Sequence, residues 1–295
     1  MQLLQKRFRT KNTFLTNKFA KNLPKITYIT FFLQKAINFA QSLYFVTCMC
    51  AKILSMVNHK GGVGKTTSTL NLGKALSLYN KKVLLVDIDP QANLSQSSGV
   101  EEPKSSIYNA MCENAPLPIV SIGTNLDLVP ADLELSEAEL RLQADVNGYF
   151  ILKKILKNFH AKYDYIVIDC PPSLGILTLN ALIASNSVMI VVQSEYLAVK
   201  GLQTIFNLIE RLKENLNSDL EILGMLITQL NPTVFRKSIA KTVRDMYPKY
   251  VLNSVIHQNI TLAEASSAGK DIFTYDATCT GAKDYDNLAK EVLSK

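Results

Sequence analysis

Two lysines, Lys60 and Lys65, bracket three glycines in the run K-G-G-V-G-K-T-T over residues 60–67. Glycines such as Gly61, Gly62 and Gly64 let a backbone curl so that successive N–H groups face one point, which makes a cradle for an anion. A helix opening near Lys65 would add its positive N-terminal end. In a phosphate loop the lysine at the helix start reaches the β- and γ-phosphates and the next hydroxyl binds Mg²⁺, which assigns those tasks to Lys65 and Thr66. Carboxylates follow downstream. V-L-L-V-D-I-D-P-Q (83–91) carries Asp87 and Asp89, two residues apart and expected on one side of a strand end, and Y-I-V-I-D-C-P-P (165–172) is an apolar run that ends in Asp169. A parallel sheet presents such strand ends to the phosphate loop, where carboxylates can support a metal or place a water.

The loop departs from the usual G-x-x-x-x-G-K-[ST] spacing. Counting back from Gly64, the first glycine belongs at position 59, where the chain has His59 followed by Lys60. One lysine suffices to hold a phosphate, so Lys60 is either a solvated loop residue or has a second task.

The elements that must hold these groups are legible as short apolar runs: Ile53–Val57, Val83–Asp89, Leu126–Pro130, Tyr165–Asp169, Val188–Gln193, Ile222–Thr228 and Val251–Ile256. They lack clean alternation, as strands buried on both faces do. Helical patterns separate them. Leu72, Ala75, Leu76 and Tyr79 form one stripe in Thr66–Asn80, and Gly201–Leu216 and Ile239–Met246 read as further helices. Strand–helix alternation through one chain predicts an α/β fold of three layers, a mostly parallel twisted sheet with helices on both faces. With no repeat and no Gly/Ser linker, residues 51–295 are expected to form one domain. The stretch Gly99–Leu142 is less regular and reads as an insertion or surface element.

Composition narrows the function classes. The chain of 295 residues has a net charge of +7, but residues 1–50 hold eight basic side chains and no acid. Subtracting those eight from the 32 leaves 24 basic against 25 acidic residues, net −1, for the rest. The overall charge therefore says little about the domain, and any nucleic-acid argument rests on local patches. Five cysteines without a C-x-x-C pair read as reduced thiols in a cytoplasmic protein. No run of eighteen apolar residues is present. The glycine-free, acid-free segment 1–50 has three readings: a basic interaction arm, a targeting peptide, or sequence ahead of the true start at Met49. The last is the expectation adopted here.

With these motifs in order, the chain resembles the ParA/MinD family of ATPases, which carry a deviant phosphate loop of the form K-G-G-x-G-K-T-T. The resemblance extends through D-x-D-P-Q (87–91), D-C-P-P (169–172), V-V-Q-S-E-Y (191–196) and the late segment S-V-I-H-Q-N-I-T-L-A-E-A-S-S-A-G-K (254–270). It covers roughly residues 52–293.

The resemblance implies ATP and Mg²⁺ as ligands, held by Lys60, Gly61, Gly62, Val63, Gly64, Lys65, Thr66 and Thr67. Lys60 would match the signature lysine that reaches the partner's ATP across a dimer, much as an arginine finger does. Asp89 would place the attacking water, Asp87 would support the metal shell, and Asp169 would hold Mg²⁺ through water. Asn259 matches the family asparagine beside the adenine. His257, Thr261 and Ser266 replace a proline, an arginine and a proline there, which puts the base pocket in doubt. The iron–sulfur relatives of the family need two cysteine ligands per subunit; Cys112 and Cys170 are the one conceivable pair and lie in no cluster-like context.

The partners implied are a second copy of the chain when ATP is bound, non-specific double-stranded DNA, and a ParB-like centromere-binding or other activating protein. The location implied is cytoplasmic, on the nucleoid in the ATP state. Arg236, Lys237, Lys241 and Arg244 are the DNA candidates, since the last three are spaced to share a helix face. The C-terminal helix lacks the basic apolar face of a membrane anchor. The competing reading is a family member that positions a protein cargo or regulates division without binding DNA.

Overall fold

A computed structural model describes residues 51–193, 198–231 and 241–295, with side chains from Gly201 onward in the middle segment. The basic extension 1–50 lies outside the described residues. Cys50–Lys295 forms one unit.

The sheet has eight strands: β1 Lys52–Val57, β2 Val83–Asp87, β3 Val120–Gly123, β4 Leu126–Val129, β5 Tyr165–Asp169, β6 Ser187–Gln193, β7 Glu221–Leu230 and β8 Val251–His257. Their spatial order is β3-β4-β2-β5-β1-β6-β7-β8, with every pairing parallel except β3 with β4. The helices are α1 Lys65–Leu78, α2 Asn93–Ser97, α3 Ile107–Cys112, α4 Leu135–Ala144, α5 Ile151–Leu156, α6 Ile176–Ala184, α7 Ala198–Asn215, α8 Ile260–Ser267, α9 Ile272–Asp276 and α10 Thr280–Ser294. Residues 241–246 are also helical.

The missing alternation in the strands has a direct cause. On β2, Leu84 and Val86 enter one core while Val83 and Leu85 enter the other; Ile166 and Ile168 on β5 oppose Tyr165 and Val167 in the same way. Helices α3 to α7 cover the first face, and α1, α8, α9 and α10 cover the second. Both faces of each central strand are dry, so apolar residues fill nearly every position; buried Ser55 on β1 is an exception and is satisfied by the Ser185 hydroxyl at 2.6 Å.

Three expectations are corrected. Gly99–Leu142 is no insertion: α3, β3, β4 and most of α4 lie within it, and Ile107, Met111, Leu128, Leu135 and Leu142 are buried in the core. β3 escaped notice because an edge strand, V-S-I-G, is only half-buried and carries no apolar run. β2 ends at Asp87, two residues early, so Asp89 lies in the following turn. Tyr79 leaves the buried stripe of α1; its ring is partly exposed and its hydroxyl donates to Asp286 at 2.7 Å. The C-terminal helix α10 buries Tyr285, Leu288, Ala289 and Val292 against the sheet. No helix among the described residues is long and apolar enough to cross a membrane.

Candidate nucleotide site

The loop between β1 and α1 lies at the C-terminal ends of the central strands. Gly62 and Gly64 have φ of 73° and 91°, left-handed values that side-chain-bearing residues rarely adopt. A Cβ added at Gly61 or Gly62 would meet nothing within 4 Å. The space beside these two glycines is therefore open, and only the backbone borders it at that point.

Neighbouring strand ends pin the loop from outside. Asn58 accepts from the Lys60 N–H at 3.0 Å and donates to the Val191 carbonyl at 2.6 Å. Thr228 Oγ1, buried on β7, donates to the Val63 carbonyl at 2.6 Å. Gln229 Nε2 donates to the Gly62 carbonyl at 2.7 Å. Asn58, Gln193, Thr228 and Gln229 were not read as site residues from sequence. Their signal, polar residues closing apolar strands, is common to many strand ends, and only the pairing of β1, β6 and β7 brings them to one loop.

Lys65 is 6% exposed and folds over the loop, donating to the carbonyls of Asn58 at 3.2 Å and Lys60 at 3.3 Å. Burial lowers its pKa, against the opposing pull of Asp169, Cys170 and Asp89. An ammonium held on weak carbonyl acceptors next to an open cradle can exchange them for phosphate oxygens. Lys60 Nζ turns back onto its own subunit and donates to Gln193 Oε1 at 3.2 Å.

The three aspartates differ in surroundings. Asp169 is wholly buried at the end of β5 and takes hydrogen bonds from Thr66 and from Thr69. Its Oδ2 has no partner. Burial, with the Asp87 charge beside it, pushes its pKa up to about 8. A buried, unpaired carboxylate oxygen is costly unless a cation completes it. The donor set, one hydroxyl and one carboxylate, fits Mg²⁺, which takes few protein oxygens and leaves the rest of its shell to phosphates and water. No cluster of three His, Cys, Asp or Glu able to hold a metal exists among the described residues, so this donor pair is not a closed metal cage.

Asp87 is also fully buried, and both its oxygens accept protein donors: Oδ1 takes the Asp89 N–H at 3.1 Å, and Oδ2 takes the Ser95 N–H at 2.9 Å and Oγ at 2.8 Å. Burial raises its pKa to about 6. Its carboxylate anchors α2 through Ser95. Asp89 is buried at the next turn and accepts from the Gln91 N–H at 3.0 Å.

Beside the loop, a cavity of about 310 Å³ is lined by Thr67, Gln229, Ile256, Asn259, Leu262 and Tyr285 among others. Asn259 caps α8, its Oδ1 accepting from the Thr261 N–H at 2.8 Å. His257 pairs with Asp284 at 3.0 Å. Ser266 bonds Ser97 of α2 at 2.6 Å, a link that a proline could not make. The segment that flanks the cavity is therefore tied to the helix that Asp87 anchors.

Of the DNA candidates, Arg236 and Lys237 lie outside the described residues. Lys241 is exposed and Arg244 half-buried on the helical segment that Val243 docks into the core. Tyr247 stacks on Phe206 of α7 at 4.9 Å just beyond it. Cys170 is buried, with its thiol pKa pushed up by burial, and Cys112 is half-buried on α3; neither has the exposure and low pKa of a reactive thiol.

A family model described as an AAA domain matches residues 51–222. The chain is 43% identical over 249 residues to the sporulation initiation inhibitor protein Soj of Bacillus subtilis, covering 82% of this chain and 98% of that protein. It is 42% identical over 248 residues to the chromosome-partitioning ATPase Soj of Treponema pallidum, covering 83% and 98%. Among solved structures, cobyrinic acid a,c-diamide synthase from Mycobacterium smegmatis with bound ADP and magnesium superposes with a TM-score of 0.73 at 31% identity, covering 82% of this chain and 94% of that one.

Proposed function

The chain belongs to the ParA/Soj/MinD family of P-loop ATPases, and on that premise we propose that it is a partitioning switch that hydrolyses ATP with Mg²⁺. ATP would assemble it into a dimer that binds duplex DNA without sequence preference, and partner-stimulated hydrolysis would release it. The observation that carries the reading is the pair of lysines around one open glycine cradle, with the unpaired Asp169 oxygen beside the start of α1.

In this reading Lys65 binds the β- and γ-phosphates within its subunit, and Lys60 crosses to those of the partner. The amides of residues 61–67 and the start of α1 receive the phosphate charge. Thr66 and Asp169 hold Mg²⁺, which neutralises phosphate charge when bound. Asp89 orients the attacking water. Asp87 supports the metal shell indirectly, by fixing the turn and α2 through Ser95. Asn259, which caps α8, borders the cavity beside the loop and would contact the nucleobase. Catalysis is positioning and charge neutralisation, with no covalent intermediate. Lys241 and Arg244, with Arg236 and Lys237, would meet DNA phosphates, and the dimer would double that surface. The activator would be a ParB-like centromere-binding or other activating protein.

The test is sedimentation of the full chain with ATP, with ADP and without nucleotide, followed by binding to non-specific duplex DNA at physiological salt. A dimer and DNA binding seen with ATP alone are expected, and Lys65→Ala abolishes both together with turnover. A dimer that ignores DNA moves the cargo to a protein. No ATP-dependent dimer overturns the switch reading.

A further inference from the structure

The cavity beside the phosphate loop has a histidine in its wall. Gly64 and Thr67 line it together with His257, Asn259 and Tyr285. Its volume of about 310 Å³ is at the small end of ligand pockets, which run from ~300 to ~1,000 Å³. That suits one base with its sugar, next to phosphates in the cradle. His257 closes β8, and Asp284 lies on α10. The buried Asp284 Oδ2 accepts the His257 N–H at 2.8 Å and faces the ring Nδ1 at 3.0 Å. The two bonds fix both backbone and ring. A proline, which the family carries at this position, has neither donor. A carboxylate oxygen only accepts, so Nδ1 carries the proton, and in the neutral ring Nε2 is then an acceptor. With Nδ1 committed to Asp284, Nε2 is the ring nitrogen left for a ligand.

We propose that His257 is a specificity-determining residue whose Nε2 accepts a hydrogen bond from the 6-amino group of the bound base, and that Asp284 is the positioning residue that fixes the ring for it. The proposal rests on the reading of the chain as an ATP-binding switch and names a residue that selects the nucleotide.

The chemistry of the base edge is the reason. Adenine carries an amine donor where guanine carries an oxygen acceptor. A protein acceptor at that edge favours adenine, and it sets two lone pairs against each other when oxygen stands there instead. The neighbouring side-chain oxygens of the segment already have donors. Gln258 Oε1 accepts from Asn231 at 3.0 Å, and Asn259 Oδ1 accepts from the Thr261 N–H at 2.8 Å. The other end of the Asn259 amide is a donor, which suits a ring nitrogen of the base rather than its amine. His257 and Asn259 thus offer one acceptor and one donor to the same cavity.

The test is calorimetric binding of ADP and of IDP, in which oxygen replaces the 6-amino group, to the full chain with Mg²⁺ in mildly alkaline buffer. Diphosphates keep hydrolysis out of the measurement. The parent is expected to bind ADP more tightly by roughly fivefold or more, since IDP leaves the acceptor facing an oxygen. His257→Ala is expected to cut the ADP-to-IDP affinity ratio by roughly two- to twelvefold, the worth of one hydrogen bond. Asp284→Asn keeps an oxygen for both His257 donors and should hold the ratio. Asp284→Ala should lower it, and should add nothing in a His257→Ala background, as a double-mutant cycle requires of one coupled pair. A pair that only ties β8 to α10 would weaken both nucleotides alike and leave the ratio where it was. An unchanged ratio in His257→Ala, or a parent that binds ADP and IDP equally, overturns the proposal while the nucleotide reading stands. A ratio that Asp284→Asn lowers as far as Asp284→Ala overturns the positioning role. A parent that binds neither diphosphate overturns the nucleotide reading, and the proposal fails with it.

Discussion

Thr228→Val tests whether the phosphate loop is shaped by the neighbouring strand or by its own glycines. The Thr228 hydroxyl is buried and its bond to the Val63 carbonyl is 2.6 Å long, with a weaker contact to the Val192 carbonyl at 3.3 Å. Valine has nearly the same shape, so no cavity opens. What is lost is the donor, and the Val63 carbonyl is left in a dry place. An unsatisfied buried acceptor costs about 1–3 kcal/mol. For a domain of this size each kcal/mol moves Tm by roughly 2–4 °C, so the expected fall is about 2–12 °C. The loop must also be re-ordered when nucleotide binds. If the whole cost appears there, affinity falls by roughly 5- to 140-fold, at about 1.4 kcal/mol per tenfold. The assay is thermal unfolding without nucleotide, together with calorimetric binding of a slowly hydrolysed ATP analogue with Mg²⁺. Thr228→Ser keeps the hydroxyl and serves as the control. A valine variant that melts and binds like the parent refutes the argument, as does a serine variant that falls as far as valine.

Two further outcomes are expected. Asn259→Ala removes the N-cap of α8 and should cost about 1 kcal/mol of stability. Asn259→Asp keeps the cap, so if it restores Tm without restoring nucleotide affinity, the asparagine amide contacts the base as well. Replacing Lys241 and Arg244 by Ala should lower the slope of log K against log salt for DNA binding in the ATP state by about one unit per side chain; an unchanged slope removes this helix from the DNA surface.

The sequence by itself determined the phosphate loop, the two apolar strands that end in aspartates, and the α/β layering. Each is a local signal. Gly62 and Gly64 take left-handed angles that a side chain would resist, and the strands of the central sheet show near-continuous apolar runs because both of their faces are buried. Edge strand β3 was not legible, since a half-exposed V-S-I-G run has no such requirement. The roles of the aspartates were only partly legible for a related reason. Asp87 and Asp169 are one residue type at the ends of neighbouring strands, yet Asp87 is filled by donors from the following turn and from α2 while Asp169 keeps an oxygen without a partner. That difference depends on which helix packs over which strand end, and no spacing in the chain records it. The clamp made by Asn58, Gln193, Thr228 and Gln229 belongs to the tertiary structure alone. These residues are up to 171 positions apart, from 58 to 229, and meet because β1, β6 and β7 lie side by side in an order that the chain does not follow.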